Sequence, residues 1–200
     1  MDNERFQKQL EFVLELDKEK NIFRQTHLSG HGRNENDAEH AWHMAIMAWL
    51  LREYANTGLD ITRTMLMILI HDVVEIDAGD TYAYDPEGKE TQQARELQAA
   101  DRLFGLLPED QAAELRALWD EFEAYETPEA RFAHTMDNFQ PMLLNDSNGG
   151  VDWASHGIAR QQVEKRNAKT GTGSEEIWEF MQTVIDRHVG MGSLKARQED

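Results

Sequence analysis

The chain has no cysteine and only 4 prolines among its 200 residues. Without cysteine the protein cannot contain a disulfide framework, an iron–sulfur cluster, a cysteine-ligated zinc site or a cysteine nucleophile. The same composition fits a reducing compartment, so we interpret the protein as cytoplasmic.

The sequence also lacks a long apolar segment. Its longest uninterrupted apolar run, residues 44–51, is far shorter than the roughly 20 residues that cross a bilayer. Residues 1–5 carry charges of both signs and lead into no apolar core, so they do not have the pattern of a signal peptide. We therefore predict no membrane association.

Positive charge is scarce. The chain has 20 Lys plus Arg against 38 Asp plus Glu, a formal net charge of −18. Such a surface repels polymeric nucleic acid and anionic membranes, which predicts no nucleic-acid partner. A small anionic substrate remains compatible with this charge, because a metal ion and one or two arginines can reverse the field locally.

Helical periodicity dominates what is present, and we find no alternating pattern typical of a strand. With 40% hydrophobic and 29% charged residues, we predict one all-α domain over residues 1–200. Residues 22–36 and 81–89 are predicted as loops, and residues 145–174 as the longest irregular segment. The predicted helices cover residues 6–17, residue 36 or 37 to shortly before Gly58, Asp60 to Gly79, residues 90–105 and 109–124, Pro128 through Leu143, and residues 174–189.

Local signals mark the start of two of these helices. Asn36 is followed three residues later by Glu39, the spacing of a capping box. Thr127 precedes Pro128, which is typical of an N-cap followed by proline at the first helical position.

The arrangement most indicative of chemistry follows the apolar residues 65–70, where His71, Asp72 and Glu75 occur in close succession. An unpaired charge buried there would cost several kcal/mol, so a bound cation is a reasonable partner. Adjacent helical residues diverge by about 100°, so His71 and Asp72 reach one ion only at the edge between them. Such an ion needs ligands from other helices. His40 and Asp137 are the candidates, and Pro141, four residues after Asp137, is expected to distort the helix there.

In chain order, His40, the pair His71-Asp72 and Asp137 resemble the H…HD…D signature of the HD-domain metal-dependent phosphohydrolases. The resemblance is to the branch that contains bacterial 5′-deoxynucleotidases, and it extends from residues 21–24 to residue 137. It implies an HD-type helical bundle, with the signature region at about residues 36–140.

The resemblance further implies that His40, His71, Asp72 and Asp137 bind one divalent metal ion. Two imidazoles and two carboxylates suit Mn²⁺, Co²⁺, Fe²⁺ or Zn²⁺ better than Mg²⁺. Relatives with two metal ions have extra histidines between the HD pair and the last aspartate. Only His134 occurs in that interval here, so we predict one ion.

Further roles come from the same resemblance. Glu75 matches a catalytic acid or base, and Asp80 matches a residue that holds the attacking water or the phosphate site. Arg24 matches a phosphate-binding residue, and Arg33 is a candidate to join it. Gln25 follows Arg24 where members of this branch can have an aromatic residue, so the motif leaves sugar and base preference open.

We therefore predict a metal-dependent phosphohydrolase, a 5′-nucleotidase that converts (deoxy)ribonucleoside 5′-monophosphates to nucleoside and phosphate. Two alternatives remain: an HD hydrolase that releases pyrophosphate or triphosphate from nucleotides, and a non-catalytic helical binding module stabilised by its metal. The resemblance also implies a homodimer. Lys165, Arg166 and Lys169 place positive charge in the segment predicted as irregular, which is a candidate lid over an anionic substrate.

Overall fold

A computed structural model describes residues 3–197, apart from the side chain at position 86. Over this range the chain forms ten α-helices and one two-stranded sheet, which confirms the predicted all-α class. The helices are α1 Asn3–Leu16, α2 Asp37–Leu51, α3 Ile61–Ile70, α4 Glu75–Ala78, α5 Pro86–Phe104, α6 Glu109–Ala124, α7 Pro128–Ser147, α8 Val151–Ser155, α9 Arg160–Arg166 and α10 Glu175–Met191; the strands are β1 Phe23–His27 and β2 Asn34–Asn36.

The predicted capping box begins α2. Asn36 Oδ1 accepts a hydrogen bond from the Glu39 backbone N–H at 2.9 Å, and the Glu39 carboxylate accepts one from the Asn36 backbone N–H at 3.2 Å. Two amide groups that the helix itself leaves without acceptors are thereby satisfied. The prediction is confirmed, and the box fixes the start of the helix that carries His40.

Side-chain caps also begin three other helices. The side chains of Asp60, Thr127 and Ser174 accept from the backbone N–H three residues further on, at 3.0, 3.2 and 3.1 Å. They start α3, α7 and α10 respectively. The bond at Thr127 confirms the cap predicted there, and all three bonds are local.

We predicted that residues 22–36 form a loop. This prediction is wrong in part, because the segment contains an antiparallel hairpin. Phe23 pairs with Asn36 and His27 with Asn34, with an irregular register between the two pairs. In β1 exposed and half-buried residues alternate from Phe23 to Thr26, but no residue of this strand is fully buried, and the Asn34 side chain donates to the Arg24 carbonyl at 2.8 Å. Because the strands are short and polar, hydrophobic periodicity does not reveal them.

The segment predicted as irregular, residues 145–174, also contains two short helices, α8 and α9, and a 3₁₀ turn at Thr170–Thr172. Gly150 precedes α8 with a φ of 75°, a conformation that favours glycine. Helices of five and seven residues are too short to show a clear 3.6-residue period. Their stability comes from packing against the rest of the protein.

The third predicted helix ends much earlier than Gly79. Helix α3 stops at Ile70, a tight turn follows, and α4 begins at Glu75. Within the turn the Val73 N–H donates to the Ile70 carbonyl at 3.3 Å, and the Glu75 N–H donates to the Asp72 carbonyl at 2.8 Å. These bonds span three residues rather than four, so the chain is wound more tightly than in an α-helix. The helix is therefore interrupted at the pair His71-Asp72.

The main core lies between the central helices. Met44 of α2, Met67 of α3, and Phe132 and Met136 of α7 are fully buried in one hydrophobic cluster. Helix α3 contacts α2, α6 and α7, so the turn after α3 emerges from the centre of the molecule. Within residues 3–197, no helix combines the length and the apolar character that a membrane span requires.

Candidate metal centre

His71 is held with one ring nitrogen facing the site. Its Nδ1 donates to the Ile68 carbonyl at 2.7 Å, and its own carbonyl accepts from Trp119 Nε1 at 3.2 Å. The opposite nitrogen, Nε2, is buried and lies 3.1 Å from Asp72 Oδ1, but it has no well-aligned hydrogen-bond partner among the described residues. Imidazole ligands of metal ions usually have this arrangement, with one ring nitrogen hydrogen-bonded to the protein and the other facing the ion.

His40 is oriented in the same way by α7. Its side chain is fully buried, and its Nδ1 faces Gln140 Oε1 at 3.0 Å. Its Nε2 lies 3.2 Å from Asp137 Oδ1. Because Gln140 Oε1 can only accept, Nδ1 carries the hydrogen, and Nε2 is the nitrogen available to an ion.

The structure brings the four predicted ligands together. Potential ligand atoms of His40, His71 and Asp72 all lie within 4.8 Å of one another, and Asp137 is in contact with His40. The set consists of two imidazoles and two carboxylates from three separate segments. Such a donor set, with a buried imidazole nitrogen that lacks a well-aligned partner, fits one first-row divalent ion.

Arg24 lies beside this cluster, at the start of β1. Its Nη1 donates to Asp72 Oδ2 at 2.7 Å and to Asp37 Oδ1 at 3.2 Å, and its Nη2 lies 4.0 Å from Asp137 Oδ1. Burial would lower the pKa of Arg24, but the surrounding carboxylates, Asp72 first and then Glu75, raise it well above the usual value. The guanidinium is therefore a fixed positive charge at the edge of the metal centre.

Asp72 and His71 form an ion pair in the absence of metal. Burial would raise the pKa of Asp72, but His71 and Arg24 lower it below its usual range. Burial would lower the pKa of His71, but the negative charge of Asp72 beside it raises that pKa to about 9. A divalent ion that binds here must therefore displace a proton from His71, so ion affinity should fall at low pH.

Glu75 and Asp80 line the same cleft as the HD pair. Burial, together with the charges of Asp72 and Asp37, raises the pKa of Glu75 well above its usual value. Burial also raises the pKa of Asp80, although Arg24 opposes the change. A buried carboxyl whose pKa is raised in this way keeps its proton to a higher pH than a solvated carboxyl does, which suits it to proton transfer.

The cleft itself has a volume of about 280 Å³, near the lower end of small-molecule pockets. Arg24 and Arg166 bring positive charge to it, and Tyr82 and Tyr84 bring aromatic surface. Arg166 Nη2 lies 3.9 Å from Asp137 Oδ2. Of the three basic residues that we considered for a lid, Arg166 thus pairs with a predicted ligand, and it is the last residue of α9.

The position of Arg33 does not support the phosphate contact that we predicted for this residue. It is exposed, its guanidinium pairs with Glu39, and it donates to the Asn34 carbonyl at 2.9 Å. It is absent from the residues that line the cleft. Glu39 is the residue of the capping box, so Arg33 stabilises the start of α2 instead.

Sequence reasoning missed three buried residues around the centre: Glu35, Asp37 and Gln140. Gln140 Nε2 donates to Glu35 Oε1 at 2.6 Å, and Glu35 Oε2 lies 3.4 Å from His40 Nδ1. Asp37 is fully buried beside Arg24. A signal was available, because Asp37 lies three residues before His40 and Gln140 three residues after Asp137, which places each on the same helix face as a ligand.

Gln140 provides a test of the His40 orientation. In Gln140→Met, His40 Nδ1 loses its acceptor while the side-chain size is retained, so the dissociation constant of the active-site ion should rise by about 10–100-fold. Equilibrium dialysis of the chelator-treated protein against Mn²⁺ measures this change. Gln111→Met, the same substitution on α6 outside the cleft, should leave the affinity as in the wild type. Equal affinity in both variants would contradict the positioning role.

The helical fold and the converging histidines and aspartates define a class of all-α proteins built around a candidate metal centre. Residues 16–178 match the model of the HD domain family, and the chain belongs to that family. The resemblance noted in the sequence is therefore confirmed at the level of the family.

Individual relatives agree with this assignment. The chain is 33% identical over 111 residues to the human 5′-deoxynucleotidase HDDC2, covering 56% of this chain and 53% of that protein. The mouse 5′-deoxynucleotidase HDDC2 is 34% identical over 109 residues, covering 54% of this chain and 53% of that protein. The chain thus spans about half the length of these curated relatives.

A solved structure covers much more of the chain. The crystal structure of a predicted metal-dependent phosphohydrolase from Magnetospirillum magnetotacticum MS-1 is 48% identical and superimposes with a TM-score of 0.90. The match covers 95% of each chain. The similarity therefore includes the hairpin and the short helices as well as the central helices.

Proposed function

We propose that this protein is a metal-dependent phosphomonoesterase that hydrolyses nucleoside 5′-monophosphates, including deoxyribonucleotides, to nucleoside and phosphate. The observation that carries the proposal is the arrangement of one cleft, in which the HD pair, Arg24 and Glu75 face the same space. The names of the HDDC2 relatives support the nucleotide class of substrate. Tyr82 and Tyr84 offer aromatic surface for a base, a role that Gln25 cannot fill.

His40, His71, Asp72 and Asp137 would hold the ion, which we propose to be a single Mn²⁺, Co²⁺, Fe²⁺ or Zn²⁺. When bound, such an ion neutralises charge on a phosphate dianion and lowers the pKa of a coordinated water. His134 supports a single ion at this centre. It stacks on Phe122 with ring centroids 3.8 Å apart, its Nε2 donates to the Phe122 carbonyl at 2.9 Å, and burial lowers its pKa to about 4.

The protein's own groups then bind the phosphate and move the protons. Arg24 would hold phosphate oxygens through its two terminal nitrogens, because a guanidinium matches a phosphate group in shape and charge. Glu75, whose pKa is raised by burial and by neighbouring carboxylates, would give a proton to the leaving 5′ oxygen, so that the nucleoside departs as an alcohol. Asp80 would accept a proton from the attacking water.

A panel of nucleotides tests the proposal. Ribo and deoxyribo 5′-monophosphates, 3′-monophosphates and triphosphates are assayed for phosphate release after chelation and after addition of Mn²⁺, Co²⁺, Zn²⁺ or Mg²⁺. We expect chelation to abolish turnover, transition-metal ions to restore it, and 5′-monophosphates to be the preferred substrates.

The other outcomes of the panel are equally informative. Preference for triphosphates, with release of pyrophosphate or triphosphate, would replace the proposal with the alternative hydrolase reaction. No turnover with any ion, in protein that binds the ion, would favour the metal-stabilised binding module. Equal rates for deoxyribo and ribo substrates would retain the phosphomonoesterase and remove any sugar selectivity.

We also infer a homodimer and a cytoplasmic location. Helix α2 supports the homodimer, because one side of this helix carries four exposed apolar residues at helical spacing: Trp42, Ile46, Trp49 and Leu50. Exposed apolar stripes of this kind commonly mark contact surfaces. Sedimentation at several protein concentrations measures the mass, and a monomer at all of them would contradict the dimer.

The lack of cysteine supports the inferred cytoplasmic location, because proteins of a reducing compartment do not depend on disulfides.

A further inference from the structure

A second group of metal-ligating side chains lies outside the candidate metal centre. It consists of His27 at the end of β1, His31 in the hairpin loop and Asp152 in α8, and their potential ligand atoms lie within 4.8 Å of one another. None of the three belongs to the predicted ligand set. We propose that these residues bind a second divalent cation, Zn²⁺, which links the hairpin to α8.

His27 and Asp152 are already in contact. The Asp152 carboxylate is buried and receives both the His27 ring, Nδ1 to Oδ1 at 2.7 Å, and the His27 backbone N–H, to Oδ2 at 3.2 Å. The carboxylate is thereby fixed in direction. The two side chains are therefore close enough for one ion to contact both.

His31 is brought to the pair by the conformation of the loop. Its φ of 54° lies in the left-handed region, which is uncommon for a residue with a side chain. Its ring centroid lies 4.6 Å from that of His27. The side chain is exposed, so it can complete a site without passing through a packed core.

Asn148, at the end of α7, holds this loop in place. Its Oδ1 accepts from the His31 backbone N–H at 2.8 Å, and its Nδ2 donates to the carbonyls of His27 and Leu28 at 3.3 and 3.1 Å. One side chain therefore fixes the backbone around both imidazoles. The three ligands are presented before an ion binds, which reduces the entropy lost on binding.

The donor set favours zinc. Zn²⁺ takes imidazole nitrogens at about 2.0–2.1 Å in tetrahedral sites and accepts two histidines, one carboxylate and a water. Donor atoms around such an ion lie about 3.3 Å apart, so His27 Nδ1 and Asp152 Oδ1, which are 2.7 Å apart, would separate slightly, and the exposed His31 would adjust to complete the group. The strongly negative chain, with a formal charge of −18, also favours cation binding.

Zinc stoichiometry tests the proposal. The full-length protein is stripped with a chelator, dialysed against micromolar Zn²⁺, and its zinc content is measured by mass spectrometry. We expect two ions per wild-type chain and one per chain in His31→Ala, an exposed position where loss of the fold is not expected. His156→Ala, a second exposed histidine near the cleft that is outside the group, should retain two.

A further variant separates this site from the metal centre. Asp137→Asn should lose the ion of the centre and retain the one in the hairpin, and the double variant with His31→Ala should bind neither. The hairpin proposal is overturned if His31→Ala retains as much zinc as the wild type, or if His156→Ala loses as much as His31→Ala. Failure of the metal centre would instead appear as unchanged zinc content in Asp137→Asn, so the two failures are distinguishable.

Discussion

Replacement of Glu75 by glutamine should lower kcat for a nucleoside 5′-monophosphate by about 10²–10⁴-fold, while the bound ion per chain stays at the wild-type level. The two side chains have nearly the same shape, but glutamine cannot hold and release a proton. Glu75 lies in the cleft and is absent from the predicted ligand set, so ion content and catalysis should separate. Steady-state kinetics together with elemental analysis measure both.

The same variant has an expected effect on stability, which follows from the raised pKa of Glu75. Burial and neighbouring carboxylates raise the pKa of Glu75 above its usual 4.5 in the folded protein. The unfolded chain therefore releases this proton at a lower pH than the folded chain does, and the folded state loses stability as the pH rises above about 4.5. Without metal, Glu75→Gln should have a higher Tm than the wild type at pH 7, and the difference should disappear towards pH 4.5.

Glu19 supplies a matched control for both measurements. It is buried, burial raises its pKa to about 7, and it does not line the cleft. Glu19→Gln should therefore share the gain in Tm while kcat remains close to the wild type. If Glu75→Gln kept wild-type kcat, Glu75 would have no part in proton transfer.

The elements that sequence predicted well are those stabilised by nearby residues. The capping box at Asn36 and Glu39 and the cap at Thr127 depend on hydrogen bonds within three residues. The long helices α6 and α10 also have clear periodicity, and their observed bounds differ from the predicted ones by at most two residues. Elements that depend on residues close together in the sequence can therefore be predicted from the sequence.

The elements that sequence predicted poorly depend on contacts between distant segments. The hairpin is stabilised by pairing between short polar strands and by Asn148, which comes more than a hundred residues later. Helices α8 and α9 are too short to show a period. The break after Ile70 is also invisible to periodicity, because the apolar pattern continues through Val73 and Val74, which are buried within the turn.

That break resolves a difficulty in the sequence-based account of the centre. On a continuous α-helix, His71 and Asp72 would point about 100° apart. In the tight turn between α3 and α4, His71 Nε2 and Asp72 Oδ1 lie 3.1 Å apart. The four candidate ligands were therefore predicted from the resemblance of their order to the HD signature, whereas their convergence, and the contacts of Glu35, Asp37 and Gln140 around them, required the folded structure.

The second large effect is expected for Asp72→Asn. Asp72 belongs to the ligand group and contacts Arg24 at 2.7 Å. Loss of its charge should weaken ion binding by more than about 100-fold, since even groups that only support a ligand are worth 10–100-fold. Turnover at micromolar Mn²⁺ should fall below detection and recover in part at millimolar Mn²⁺. Equilibrium dialysis and kinetics as functions of Mn²⁺ concentration measure these changes.

Asp77→Asn is the matched control, because Asp77 lies five residues further along, pairs with Arg102 outside the cleft and is partly exposed. It should retain wild-type affinity for Mn²⁺. In Asp72→Asn the Arg24 guanidinium still has Asp37 and the more distant Asp137 as partners, and the asparagine oxygen can accept a hydrogen bond, so the fold should survive. A folded Asp72→Asn protein with unchanged Mn²⁺ affinity would therefore show that the ion is held elsewhere, because the only large change at this position is the loss of a ligand charge.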